Sequence, residues 1–184
     1  MKSKAVPAKR THPPVTKLPD RYATAIGHIV FKWARVEHHL FLVEKRVLGI
    51  SIKKARETIQ WRSATKSLRS IQDAAIKKSF VFKTNIENVK TQFSIAEDIR
   101  DTLCHSVWYS TGGALLVQVV KGKKQPKGIA TGVQCEKTPL GIQITKKYLS
   151  NVLKQIEACI RISKVLLSET QTHASSDTQN HTKH

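Results

Sequence analysis

The sequence predicts a mainly α-helical protein: an antiparallel four-helix bundle with a β-hairpin excursion between the third and last helices. Two observations carry this expectation. Apolar residues recur at helical spacing in four long segments, each with one stripe to bury. Between the third and fourth segments the pattern changes to short β-type runs. Helices with one apolar stripe each are buried most economically against one another.

The first helix spans about Arg21 to Leu48 on Ile26, Val30, Trp33, Leu40 and Val47, and Gly49 stops it. The second starts from Ser51 as N-cap and reaches about Lys78, with Ile52, Ala55, Ile59, Leu68, Ile71 and Ala75 on its apolar face. A candidate break lies near Trp61–Ser63. The third covers about Lys83 to Tyr109 on Ile86, Val89, Phe93, Ala96, Leu103 and Val107, before Gly112–Gly113. ALLVQVV (114–120) and IATGVQC (129–135) then read as strands joined by KGKKQPK, and GIQIT (141–145) adds a short strand. Helix returns at Thr145 and runs to about Ser168, turning Leu149, Val152, Ile156, Ile160 and Leu167 inward. One helical domain is expected over 19–168, with its β excursion at about 114–144. Residues 1–18 read as a disordered basic arm, and 169–184 as a disordered polar tail.

Composition narrows the function classes. Thirty-two Lys and Arg against 13 Asp and Glu give a net charge of +19 and a pI near 10.1. Most of that excess lies in the body of the chain, which points to a polyanionic partner, foremost nucleic acid, with an acidic partner protein as the other choice. No run has the length of about 18 apolar residues that a membrane helix needs. The N-terminus lacks the apolar core of a signal peptide, so no membrane partner and a cytoplasmic location are expected. Cys104, Cys135 and Cys159 form no CxxC pair and read as reduced thiols. Without HExxH or closely spaced ligand pairs, neither a metal nor a cofactor is expected.

The candidate site is RDTLCH, residues 100 to 105. Arg100 lies seven residues after Phe93, on the line where the stripe calls for an apolar side chain. A buried charge needs a partner, and Glu37, four residues after Trp33 and also near an apolar line, is the candidate. Asp101 and His105 are four apart and stack on adjacent turns, where a carboxylate can orient an imidazole. Arg100 and His105 stand about 140° apart around the helix, able to flank a groove. An arginine to hold a phosphate and a histidine to move a proton suit RNA cleavage. Lys121, Lys123, Lys124 and Lys127 ring the expected hairpin tip as a clamp on a nucleic-acid backbone, against a simple solvated turn. Trp33 and Trp108 read as core, and Trp61 as the best candidate for an exposed aromatic.

An Arg, four to six residues and a His late in the third helix of a basic helical domain resemble the HEPN superfamily and its Rx4-6H motif. Arg21 to His28 has matching spacing but opens the first helix, whereas RDTLCH occupies the family's motif position. The opening IGHIVFKWARVEHHL, the continuation HSVWY, the β excursion and the long final helix extend the resemblance over roughly 20–168. The resemblance implies a metal-independent endoribonuclease, a toxin or antiphage effector, acting as a homodimer with paired motifs. Arg100 would bind the scissile phosphate, His105 would serve as general acid–base, and Asp101 would orient His105. The residue after the motif arginine is commonly Asn in the family. Asp101 stands there in this chain, and its charge opposes a phosphate. That departure points to the alternative, a catalytically silent module that binds nucleic acid or a partner such as an antitoxin.

Overall fold

The computed structural model describes residues 14–60, 62–111, 114–118, 137–138 and 141–180. Its order is α1 (Asp20–Leu48), α2 (Ile52–Thr58), α3 (Ala64–Lys77), α4 (Ile86–His105), β1 (Val107–Thr111), β2 (Ala114–Gln118), β3 (Lys137–Thr138), β4 (Gly141–Ile144) and α5 (Lys146–Asn180). The protein is mainly helical, with a small antiparallel sheet ordered β1-β2-β4-β3.

Local chemistry sets the boundaries. Gly49 ends α1 at φ 70°, a left-handed conformation that glycine adopts without a Cβ clash, and its N–H returns to the Lys45 and Arg46 carbonyls. Ser51, Ser63 and Asn85 cap α2, α3 and α4 by accepting the N–H of Lys54, Lys66 and Asn88. Thr145 does the same for the Tyr148 N–H at the start of α5. Two glutamates act at a distance. Glu97, buried in α4, accepts from the Ala64 and Thr65 N–H groups and from the Thr65 hydroxyl, so a carboxylate sits on the N-terminus of α3. Glu169 takes the Lys83 and Thr84 N–H groups ahead of α4.

The helix directions correct the expectation of a wholly antiparallel arrangement. Lys32 pairs with Glu157, His39 Nδ1 lies 2.9 Å from Ser163 Oγ, and Arg46 Nη1 donates to the Leu167 carbonyl. Both numbers rise together, so α1 and α5 run parallel. The cause is the break at 59–63, which divides the expected second helix into α2 and α3. The short α2 returns along α1, as the cleft shared by His38, Phe41, Ile52 and Ile59 shows. From there α3 sets out again, antiparallel to α4, with Thr65 on Glu97 and Gln72 on Glu87. One added reversal turns the last helix over relative to the first.

Four further expectations are corrected. The third helix ends at His105, and Ser106 is already extended (φ −94°, ψ 159°). Val107, Trp108 and Tyr109 are β-branched or aromatic residues that join β2, with Trp108 opposite Val117 and Thr111 opposite Ala114. The Trp108 indole donates to the Leu103 carbonyl, one of the acceptors that the end of α4 leaves free. Among the described residues, the partners of ALLVQ are therefore VWYST and GIQI, and IATGVQC lies outside them. The arm is ordered from Pro14: the Val15 N–H donates to the Trp108 carbonyl, and Val15 and Leu18 pack on the core. They cover the open edge of β1, where unpaired backbone groups await a partner. Finally, α5 does not stop near Ser168. It continues to Asn180, with Thr170 buried and Glu169 bound to the α3–α4 connection.

The core is one cluster. Trp33, Val36, Leu40, Leu68, Ile71, Phe93, Ile99, Ile156 and Leu166 are almost fully buried, and Trp108, Leu115 and Ile144 bring the sheet onto it. No described helix is long and apolar enough to cross a membrane.

Candidate functional site

Arg100 leaves α4 among packed neighbours, with 20% of its side chain exposed. Its guanidinium carries two acids: Nη2 donates to Glu37 Oε1 at 2.9 Å, and Nη1 forms an ion pair with Asp101 Oδ1 at 2.7 Å. The same Glu37 oxygen accepts the Trp33 indole N–H at 2.9 Å. The Arg100 guanidinium carbon lies 5.8 Å from the centre of the Trp33 ring, within cation–π range. Arg100 Nε is buried and has no partner among the described residues. A charge on the apolar stripe is thus accommodated by an acid from the neighbouring helix, an adjacent acid and an aromatic face.

Asp101 belongs to this cluster and not to His105. No ion pair or hydrogen bond joins the two among the described residues, so the expected Asp101–His105 contact is corrected. A fully charged guanidinium at 2.7 Å holds the carboxylate more strongly than an exposed imidazole a turn away. His105 itself is the last residue of α4 and is exposed. A groove opens at this end of α4, lined by Cys104, Ser106, Val107, Ile26, Thr16 and Lys17 among others, and neither His105 nor Arg100 is part of its lining. Lys121, Lys123, Lys124 and Lys127 lie outside the described residues, as does Trp61.

Two groups here titrate abnormally. Burial raises the Glu37 carboxyl above its ordinary 4.5, with Arg100 and the Trp33 N–H pulling the other way and Glu97 and Asp101 adding to the rise. Burial also raises the Cys104 thiol, against a weaker pull from Arg100, so Cys104 is a poor nucleophile at neutral pH. A raised carboxyl favours the folded state below the ordinary glutamate range, and that contribution disappears as pH rises through the folded value. Glu37→Gln is therefore expected to melt higher than the wild type at pH 7. The gap should close as pH falls towards 4.5, in melting curves recorded across that interval. A gap that does not change with pH would show that Glu37 titrates normally.

The sequence missed part of the surroundings. The α1–α2 cleft, with Glu37 in its wall, depends on a chain reversal that periodicity does not encode. The Trp33–Glu37 contact had a signal in its i,i+4 spacing, although Trp33 reads only as core. Among the described residues no group of three potential metal ligands occurs. No family model, curated protein or solved structure matches the chain.

Proposed function

We propose that this chain is a metal-independent endoribonuclease of the HEPN type, acting in the cytoplasm as a toxin or antiphage effector. On this reading α1, α3, α4 and α5 form the four-helix bundle of that family, and two copies pair so that their motifs face one cleft. The observation that carries the proposal is the placing of His105: exposed as the last residue of α4, little more than a turn beyond Arg100. A general acid–base must reach solvent and substrate, and an imidazole buried in the core does neither.

In the reaction, Arg100 turns from its acids to the scissile phosphate. His105 takes the proton as the ribose 2′-oxygen attacks phosphorus. The P–O5′ bond breaks, the 5′-oxygen leaves with the proton that His105 has taken, and a 2′,3′-cyclic phosphate remains. The need for a 2′-hydroxyl selects RNA over DNA.

One observation favours a second reading. Glu37 and Asp101 together outweigh the charge of Arg100, as suits a silent module that binds RNA, an antitoxin or another acidic protein through other basic residues. Incubation of the protein with RNA in EDTA separates the two. The enzyme leaves cyclic-phosphate ends, and His105→Ala slows it by about 10²–10⁴-fold without lowering the melting temperature. Arg100→Lys belongs beside Arg100→Ala, since alanine also strands Glu37. Intact RNA with wild-type protein, or equal cleavage by His105→Ala, would overturn the enzyme. Salt-dependent RNA binding in its place would establish the module.

A further inference from the structure

The α1–α2 cleft is separate from the groove at the end of α4. Its volume is about 430 Å³, within the range of small-molecule pockets. Ala34 and Phe41 of α1, Ile52 of α2 and Ile59 just after it give it apolar walls. His38, Gln60 and Ser67 add groups that donate and accept hydrogen bonds. Two arginines line it and differ in state. Arg62 is committed to Glu44, Ser70 and the Thr58 carbonyl. Arg56 is exposed and has no ion pair or hydrogen bond among the described residues. Among the described residues the only acid in the lining is Glu37, already covered by Arg100 and Trp33.

We propose that this cleft receives one unstacked base of a single-stranded RNA bound at the Arg100–His105 site. The inference rests on RNA being the partner, as read above, and adds where one base goes. Apolar walls with an aromatic member suit the faces of a flat ring, and the amide, hydroxyl and imidazole suit its edges. The free cation of Arg56 suits the attached phosphate. Continuity decides in favour of a substrate subsite: Glu37 is at once the wall of the cleft and the acceptor for Arg100, so a base held there brings its own backbone to the guanidinium. A duplex keeps its bases stacked and cannot fill a cleft between two helices, so the site selects single strands.

The test measures binding of wild-type protein to labelled 2′-O-methyl decamers, which lack the nucleophile and survive cleavage. An adenine strand, a uracil strand and an abasic strand of equal length and charge are compared at one salt concentration. A base-bearing strand is expected to bind at least about tenfold more tightly than the abasic one. Ile52→Asp, at an exposed first position of α2 where an acid is tolerated, should bring that ratio close to one. Arg56→Glu should weaken all three strands. If Ile52→Asp lowers the melting temperature, Gln60→Ala, outside the helices, gives the same comparison. Equal binding of abasic and base-bearing strands, no binding, or an unchanged ratio in a folded variant would overturn the inference. So would a polyglutamate chain that binds as tightly as the decamers. Cleavage of ordinary RNA with a ratio near one would leave the nuclease and remove the pocket. Base-dependent binding without cleavage would leave the pocket and remove the nuclease.

Discussion

Arg62→Ala is expected to lower the unfolding free energy by about 3 kcal/mol, the lower end of what breaking a buried ion pair costs. Glu44 in α1 is fully buried, and Arg62 Nη1 reaches its Oε1 at 2.6 Å. Its other oxygen has no partner among the described residues, so little else offsets the charge. The arginine is 37% exposed, and solvent screens its end of the pair, hence the lower figure. Arg62 also ties the Thr58 carbonyl and the Ser70 hydroxyl, which joins the end of α2 to α3. Urea denaturation should show the loss, and adding Glu44→Gln to Arg62→Ala should recover a large part of it. If the double variant is as unstable as the single one, lost packing and not a stranded charge is the cause.

Trp33→Ala is expected to cost about 3–5 kcal/mol, as large-to-small changes of buried aromatics do. Trp33 is 1% exposed, and its ring meets Phe93 edge-on with 6.3 Å between centroids. The more informative variant is Trp33→Phe. It keeps an aromatic ring beneath Arg100 and loses the N–H to Glu37 together with some volume, for about 1–2 kcal/mol. Glu37 then rests on Arg100 alone, and the guanidinium is drawn further from any phosphate. RNA cleavage by Trp33→Phe should fall while most of the protein stays folded in the assay. Equal denaturation midpoints for the two variants would show that the ring contributes no core packing.

The sequence made α1 legible at both ends, because an apolar stripe stopped by glycine and followed by a capping serine has few other solutions. The break near Trp61–Ser63 was legible too, but its consequence was not: a stripe says which face is buried and nothing about direction, so α1 and α5 looked antiparallel. VWYST reads as a continuation of the helix because Val107 falls four residues after Leu103, on the stripe. Only pairing with ALLVQ makes it a strand, and pairing is not local. Arg100 and Glu37 stood out as charges on apolar lines. Glu97 holds a similar position, four after Phe93, yet its role as the cap of α3 requires knowing which helix end it meets. Helical spacing pairs Asp101 with His105, whereas a long arginine can fold back onto the residue beside it.

The N-terminal segment along β1 bears on how the protein is handled at the bench. Anything attached ahead of Pro14 leaves the fold beside Trp108 and Tyr109, next to the groove at the end of α4. On the C-terminal side the chain passes Thr84, at the opposite end of α4, and α5 carries it on to Asn180. The 20 residues of α4 alone span about 30 Å between the two ends. An affinity tag or fluorophore on the C-terminal side leaves the groove open to substrate, and one on the N-terminal side crowds it. Comparing the two fusions is a cheap probe of access to His105, with no substitution in the chain.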